Sequence, residues 1–251
     1  MSGPRLPRGA VRSPNIWDHP DVYEIENRAA DPHGRLEAAM RELGDWSGRT
    51  LLDLGCGTGF HLPRWAAEPG AAARVVGVEP HPDLLALARR RVRRRVADPA
   101  RVSLLPGTAQ DVPLPDGAVD VVHVRWAYFF GPGCEPGLRE LQRVVRRGGV
   151  AFVIDNDGSR STFGHWFRRG FPHLPEPSTI ERFWARHGWS RRQIDMGWRF
   201  ERPEDLEAVV RLELPPAAAE QALAEHAAHG EQAGAGGLEV DYAVNLWWRT
   251  F

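Results

Sequence analysis

Leu51-Leu52-Asp53-Leu54-Gly55-Cys56-Gly57-Thr58-Gly59-Phe60 is an apolar run that breaks into three glycines at alternate positions. Such a run reads as a buried strand ending in a tight turn, where glycine supplies positive φ and a bare backbone that a ligand can approach. Residues 61–67 then read as helix, and residues 74–78 as a second apolar strand that ends in Glu79, 20 residues after Gly59. Strand, glycine loop, helix, strand and acid together make a βαβ unit of nucleotide-binding type. The closing carboxylate suits the two hydroxyls of a ribose.

Outward from this unit the alternation continues. Residues 82–97 read as helix, 102–105 and 119–124 as strands, 136–146 as a helix closed by Gly148 and Gly149, and 150–154 as a fifth strand. The 119–124 run is apolar almost throughout, as a parallel strand covered on both faces should be. Upstream, residues 21–47 read as one helix stopped near Gly44, and the Pro/Gly/Arg-rich residues 1–15 as disordered. Downstream, 157–190 is rich in Trp, Phe and His and reads as a helical lid, ending in a helix over 180–187. Residues 193–200 and 240–248 read as two closing strands around a helix at 203–210, and 216–237 as part helix, then a glycine-rich loop. The expected fold is α/β: a Rossmann-like, doubly wound, mostly parallel sheet with an antiparallel last strand and a small helical lid. The expected division is an N-terminal arm and cap helix at 1–47, and a ligand-binding domain at 48–251 carrying the lid insertion.

Composition narrows the field. The chain has 251 residues, 42% hydrophobic and 26% charged, enough for one core with a small cap. The formal net charge of -1 gives no reason to expect a polyanionic partner. Arg89 to Arg95 contains six arginines, but Leu84, Ala88, Val92 and Val96 run through it at i, i+4 spacing, so it reads as the solvated face of an amphipathic helix. Two cysteines, Cys56 and Cys134, are too few for a disulfide framework or a zinc cluster. Neither an apolar leader nor a run of about 20 apolar residues is present. The expectation is a soluble, cytoplasmic chain.

The glycine spacing is G-x-G-x-G behind Asp53, whereas nicotinamide and flavin sites favour G-x-G-x-x-G with a pyrophosphate on the helix N-terminus. A carboxylate at the strand end is wrong for a pyrophosphate and right for a ligand with an ammonium. The segment resembles motif I of the class I S-adenosylmethionine-dependent methyltransferases, small-molecule type, and 75–79 is similar to their motif II. Residues 107–120 resemble their adenine segment, and 141–149 the helix and turn before strand five. The resemblance covers about residues 48–155. It implies that Asp53, Gly55, Cys56, Gly57 and Gly59 line the methionine part, that Glu79 holds the ribose, that Pro80 or His81 flanks adenine, and that Thr108, Ala109 and Gln110 meet its edge. Tyr23 resembles an N-terminal aromatic that closes over the cofactor. The cofactor implied is S-adenosylmethionine, leaving as S-adenosylhomocysteine.

The methyl acceptor should bind at the carboxyl ends of the strands. The fourth ends in His123-Val124-Arg125-Trp126-Ala127-Tyr128-Phe129-Phe130. The Asp/Asn-Pro-Pro-aromatic motif of nucleic-acid amine methylases is absent, and the surroundings of Cys134 do not match the pyrimidine-carbon methylases. Arg125 can hold a carboxylate by two hydrogen bonds and touch the cofactor. Tyr128 is a candidate for an aromatic face beside the sulfonium. His123, Asp155 and Asp157 are the candidate bases. The leading reading is in-line methyl transfer to a small molecule bound between residues 157–190 and strand four, with no metal, nucleic acid or membrane involved. An RNA or protein methyltransferase and a non-catalytic S-adenosylmethionine-binding module stand as alternatives. The sequence fixes neither the acceptor nor an oligomeric state.

Overall fold

The computed structural model describes residues 6–233 and 237–251. Seven strands form the main sheet: β1 (Thr50–Leu54), β2 (Arg74–Glu79), β3 (Val102–Pro106), β4 (Val119–Arg125), β5 (Val145–Asn156), β6 (Ser190–Asp195) and β9 (Ala243–Thr250). A two-stranded ribbon pairs β7 (Trp198–Arg199) with β8 (Glu239–Val240). The sheet order is β3-β2-β1-β4-β5-β9-β6, and β9 runs antiparallel to both β5 and β6. The expected Rossmann-like sheet with an antiparallel last strand is therefore present. β1 pairs with β2 on one side and β4 on the other. The chain reverses its direction of winding there, which opens a crevice beyond the carboxyl ends of β1 and β4.

Helices α3 (Arg35–Leu43), α4 (Leu62–Trp65) and α5 (Pro82–Arg95) cover one face, where Trp46, Trp65, Met40 and Val92 are buried together. α6 (Glu135–Val144) and α8 (Pro177–Arg186) cover the other, burying Leu141, Phe183 and Trp184 beside Trp247. On the first face, α2 (Pro20–Ala29), α7 (Thr162–Gly170), α9 (Pro203–Glu213) and α10 (Pro216–Ala233) build a cap at the strand ends, with α1 (Pro14–Asp18) lying ahead of α2. None of the helices among the described residues is long and apolar enough to cross a membrane.

Several boundaries differ from expectation. The helix expected over 21–47 is two, because Asp31 has φ +57° and precedes a proline. Its carboxylate accepts from the N–H groups of Arg35 and Leu36 at 2.8 and 3.0 Å and so starts α3. The disorder expected over 1–15 does not extend to 6–15: α1 begins at Pro14, and the Gly9 carbonyl accepts from Gln110 Nε2 at 3.0 Å. Gly148 and Gly149 do not stop a helix. α6 ends at Val144, and the pair forms an irregularity inside β5, where a Cβ on Gly149 would lie 2.8 Å from the Asp120 carbonyl. The strand expected at 193–200 is β6 and β7 separated at Gly197, which has φ +83°. α10 fills most of 216–237, and the glycine loop expected after it falls at 234–236, outside the described residues. The lid expected at 157–190 also differs. Phe163 and Trp166 of α7, with Phe183 and Trp184 of α8, are core residues, and Phe167 alone from this stretch reaches the cavity described below.

Candidate functional site

A cavity of about 580 Å³ lies in the crevice beyond β1, β2 and β4, within the range of small-molecule sites. The glycine loop forms its floor. The N–H groups of Gly55 and Cys56 both donate to the Val78 carbonyl, at 2.8 and 3.0 Å, which ties the loop to β2. Gly55 has φ +78° and Gly57 φ +54°. A Cβ on the first would lie 2.6 Å from Ala127 Cβ, and on the second 2.6 Å from Ile16 Cδ1, so α1 lies directly over the loop. Gly59, expected to line the ligand, does not. Its missing Cβ makes room for Ala88 of α5, 2.9 Å away, so that glycine serves helix packing.

Glu79 closes the far side of the loop. Gly57 N–H donates to Glu79 Oε2 at 3.0 Å and His81 N–H to Oε1 at 2.8 Å. Burial pushes this carboxyl up to about 7, against the lowering effect of the two N–H groups. A carboxylate has about four acceptor positions, so room remains for two hydroxyls. Pro80, Gly107, Thr108, Ala109 and Gln110 continue the wall. Thr108 Oγ1 is buried without a partner and so is a polar atom waiting for one. The Gln110 amide nitrogen, expected at an adenine edge, is instead taken by the Gly9 carbonyl.

Asp53 is 3% exposed and lines the inner end. Its register partner on β4 is His123, whose Nδ1 donates to Asp53 Oδ1 at 2.9 Å, while Trp65 Nε1 donates to Oδ2 at 3.4 Å. His123 is thus a buried histidine held by an acid. Beside it, burial lowers His61 well below its usual value and keeps that ring neutral. Cys56 and Cys134 are buried thiols pushed up by desolvation, Cys134 to about 12, which leaves neither available as a nucleophile at neutral pH.

The segment after β4 turns sharply. Trp126 has φ +51° and Tyr128 φ +58°, a costly conformation for bulky residues that persists only where the surroundings enforce it. It aims Trp126, Tyr128 and the side chain of Arg125 into the cavity. Arg125 stands over the Trp126 ring at 4.0 Å, with Nε and Nη2 buried and unpartnered. Tyr23 meets Trp126 edge-on at 6.4 Å and lines the cavity beside it. Tyr128 lines the wall, Phe129 is core, and Phe130 is exposed at the mouth.

Asp155 is not at the cavity, contrary to expectation. Successive side chains on a strand point to opposite faces. Asn156 therefore takes the cavity face, while Asp155 accepts from Asn245 Nδ2 at 2.9 Å and Trp247 Nε1 at 3.1 Å on the other. Burial pushes Asp155 up to about 7. Asp157 likewise serves structure, accepting from Gln193 Nε2 at 2.6 Å.

The sequence reading missed the opposite wall. Asn15, Glu26, Asn27 and Glu213 line it, from α1, α2 and the end of α9. Glu26 is 2% exposed, and Asn15 Nδ2 donates to Glu213 Oε1 at 2.6 Å. Burial raises both carboxyls, Glu213 to about 7 and Glu26 well above its usual range. Arg91, expected on a solvated face, is half-buried. It pairs with Glu24 at 2.6 Å and donates to the Thr58 carbonyl at 3.1 Å, while Thr58 Oγ1 donates to the same glutamate. This clamp joins α5, the glycine loop and α2.

Residues 52–153 match the family model described as a methyltransferase domain. The demethylmenaquinone methyltransferase of Listeria welshimeri is 31% identical over 138 residues, covering 53% of this chain and 58% of that protein. That of Thermus thermophilus is 36% identical over 137 residues, covering 53% and 60%. The chain thus spans a little over half the length of these curated relatives. Among solved structures, the YcgJ protein from Bacillus subtilis superposes with a TM-score of 0.58 at 15% identity, covering 86% of this chain and 97% of that one. Residues 52–153 thus carry a match to a methyltransferase domain, and this is the segment that holds the glycine loop, Glu79 and the central strands of the sheet.

Proposed function

We propose that the chain binds S-adenosylmethionine along the β1–β2 side of the cavity and transfers its methyl group to a small molecule held against α2, α9 and the segment after β4. The observation that carries this reading is Glu79. It is a buried carboxyl at the strand end with acceptor positions to spare, and a backbone N–H of the glycine loop fixes it in place. A ribose diol supplies the donors such a group lacks. The unpartnered Thr108 Oγ1 and the wall of Pro80, Ala109 and Gln110 suit an adenine, and Gly55, Cys56 and Gly57 leave backbone bare for the methionine part. Asp53 keeps acceptor positions beyond the two that His123 and Trp65 fill.

S-adenosylmethionine supplies the activated methyl. The chain aligns the acceptor, keeps water out and holds charge, and alignment alone accounts for a large part of such rate enhancements. Trp126, Tyr128 and Tyr23 present aromatic surface at the meeting point of the two halves, where a sulfonium gains about 0.5–2 kcal/mol per face. Arg125 offers two unpartnered N–H groups to an oxygen of the acceptor. The relatives' names point to a quinone-type acceptor for those proteins. Asn15, Glu26, Asn27 and Glu213 lie outside residues 52–153, so the acceptor end of this cavity is built from elements beyond the matched methyltransferase segment.

Calorimetric titration tests the reading. Micromolar binding of S-adenosylmethionine and S-adenosylhomocysteine, with none of NAD, is the expected result. Absence of binding for both, or binding of NAD, overturns it.

A further inference from the structure

The carboxyl groups of Glu26 and Glu213 come from helices far apart in the chain and meet on the cavity wall across from Glu79. Burial raises both carboxyls, Glu213 to about 7 and Glu26 well above its usual range, and the charge of Glu213 raises Glu26 further, so the pair retains a proton near neutrality. Asn15 fixes Glu213 from one side, while Glu26 Oε2 is buried and unpartnered. The charged and titratable groups that face the pair are Arg125 from the end of β4, Tyr23 from α2 and Tyr242 from the segment before β9. Arg125 does not close a salt bridge onto the pair, since its Nε and Nη2 are also without partners. A pair with one proton and one arginine is neutral overall. The same helices would be joined at least as well by apolar side chains, because buried ionisable pairs rarely add net stability. Their position against the cavity calls for another explanation.

We infer that Glu26 and Glu213 together accept the proton released in methyl transfer, and that the acceptor is a molecule made nucleophilic by loss of a proton from oxygen or nitrogen. The inference rests on the methyltransferase reading above. In the step itself, the acceptor's electron pair forms the bond to the methyl carbon as the carbon–sulfur bond breaks. The electrons of that bond remain on sulfur, giving a neutral thioether. The acceptor's O–H or N–H proton passes to the singly protonated pair, which becomes a neutral diacid and later releases a proton to water. Burial raises both groups enough that the diacid loses its first proton near neutrality, where a general base works best. Arg125 is placed to hold the acceptor's oxygen as negative charge develops. Thioethers and tertiary amines, which have no such proton to lose, fall outside the class.

The test uses the full chain saturated with S-adenosylhomocysteine and 4-nitrophenol as the probe, whose ionisation is read by its colour. Wild type is expected to shift the ionisation of bound 4-nitrophenol toward acid by about tenfold or more, which is one pH unit. Glu26→Gln and Glu213→Gln, both still carrying Arg125, are each expected to lose most of that shift. Both should bind S-adenosylmethionine within threefold of wild type, since the pair lies in the acceptor half. Ionisation that is the same in wild type and both variants, including no shift in any of them, overturns the inference. So does a tenfold loss of S-adenosylmethionine affinity in either variant. If wild type fails to bind S-adenosylmethionine, the methyltransferase reading falls. The 4-nitrophenol titration run without the nucleotide still reports on the carboxyl pair.

Discussion

Cofactor affinity should depend on pH through Glu79. Its carboxyl is pushed up to about 7 by burial in the free chain. A ribose diol donates two hydrogen bonds and therefore binds the ionised form. Bringing the ligand to a protonated Glu79 first requires removal of that proton, so affinity falls as pH drops below 7. At pH 7 about half of the groups are ionised and at pH 5.5 about 3%, so the dissociation constant should rise about fifteenfold between them. Above pH 7 the ligand's own α-amine begins to titrate, with a usual value of about 7.7–8.0, and the cleaner window is the acid side. Glu79→Gln removes the titrating group. It also points an amide N–H₂ at a backbone N–H, because Gly57 and His81 each donate to one oxygen of the natural side chain. One buried N–H is left unpaired at about 1–3 kcal/mol, and the charge-assisted bonds to the diol are lost. The variant should bind roughly 10- to 100-fold more weakly at pH 7, with a flat profile below it. Calorimetry with S-adenosylhomocysteine from pH 5.5 to 7.0 on both proteins gives the comparison. A wild-type affinity that does not change across this window, or the same slope in the variant, would refute the role given to Glu79.

Gly57→Ala puts a Cβ 2.6 Å from Ile16 Cδ1 at φ +54°, so α1 should lift from the loop at a cost of about 1–2 kcal/mol. Stopped-flow release of bound nucleotide should then speed up several-fold, and an unchanged rate would argue against α1 as a cover. Arg91→Met breaks the pair to Glu24 and the bond to the Thr58 carbonyl, a loss of about 1.5–3 kcal/mol read as a lower melting temperature. Arg89→Met, at an exposed neighbour, should leave that temperature unchanged. Asp155 sits at about 7 in the folded chain, so the fold prefers its protonated form, and this group costs stability as pH rises from about 4 to 7. Asp155→Asn should remove that fall and add up to about 4 kcal/mol at pH 8 in denaturant titrations, while nucleotide affinity stays as in wild type. Weakened nucleotide binding in that variant would return Asp155 to the cavity.

What was legible in the sequence was what is local in it. The strand, glycine loop, helix, strand and Glu79 lie within 30 residues, and each glycine or carboxylate there has a reason that neighbouring residues supply. Distant pairings left fainter marks. Glu26 sits among Asp21, Glu24 and Glu26 on one short helix, and nothing in composition separates the buried acid from the other two. One signal did exist: Glu26 follows Tyr23 by three residues, so an inward Tyr23 carries Glu26 inward with it. Arg91 is one of six arginines in its run, yet it lies three residues after buried Ala88, at the margin of the apolar stripe. The aromatic residues of 157–190 misled for a plain reason. Trp and Phe cover a ligand or fill a core with equal ease, and here the long edge of β9 and β6 needed filling, with Trp184 stacked on Trp247 at 5.5 Å.

The cavity therefore has two halves of different origin. The methyltransferase segment at 52–153 contributes the glycine loop, Glu79 and the turn after β4, all anchored in the sheet. The facing wall comes from α1, α2 and the end of α9, which are held to the sheet by side chains rather than by strand pairing. The Arg91–Glu24–Thr58 clamp connects the two directly, because Thr58 belongs to the loop and Glu24 to α2. Glu24 and Glu26 belong to the same helix, so a shift of the glycine loop is passed through the clamp to the helix that carries Glu26. Binding of the nucleotide should for that reason tighten the acceptor half, and by thermodynamic reciprocity a bound acceptor should slow the escape of the nucleotide.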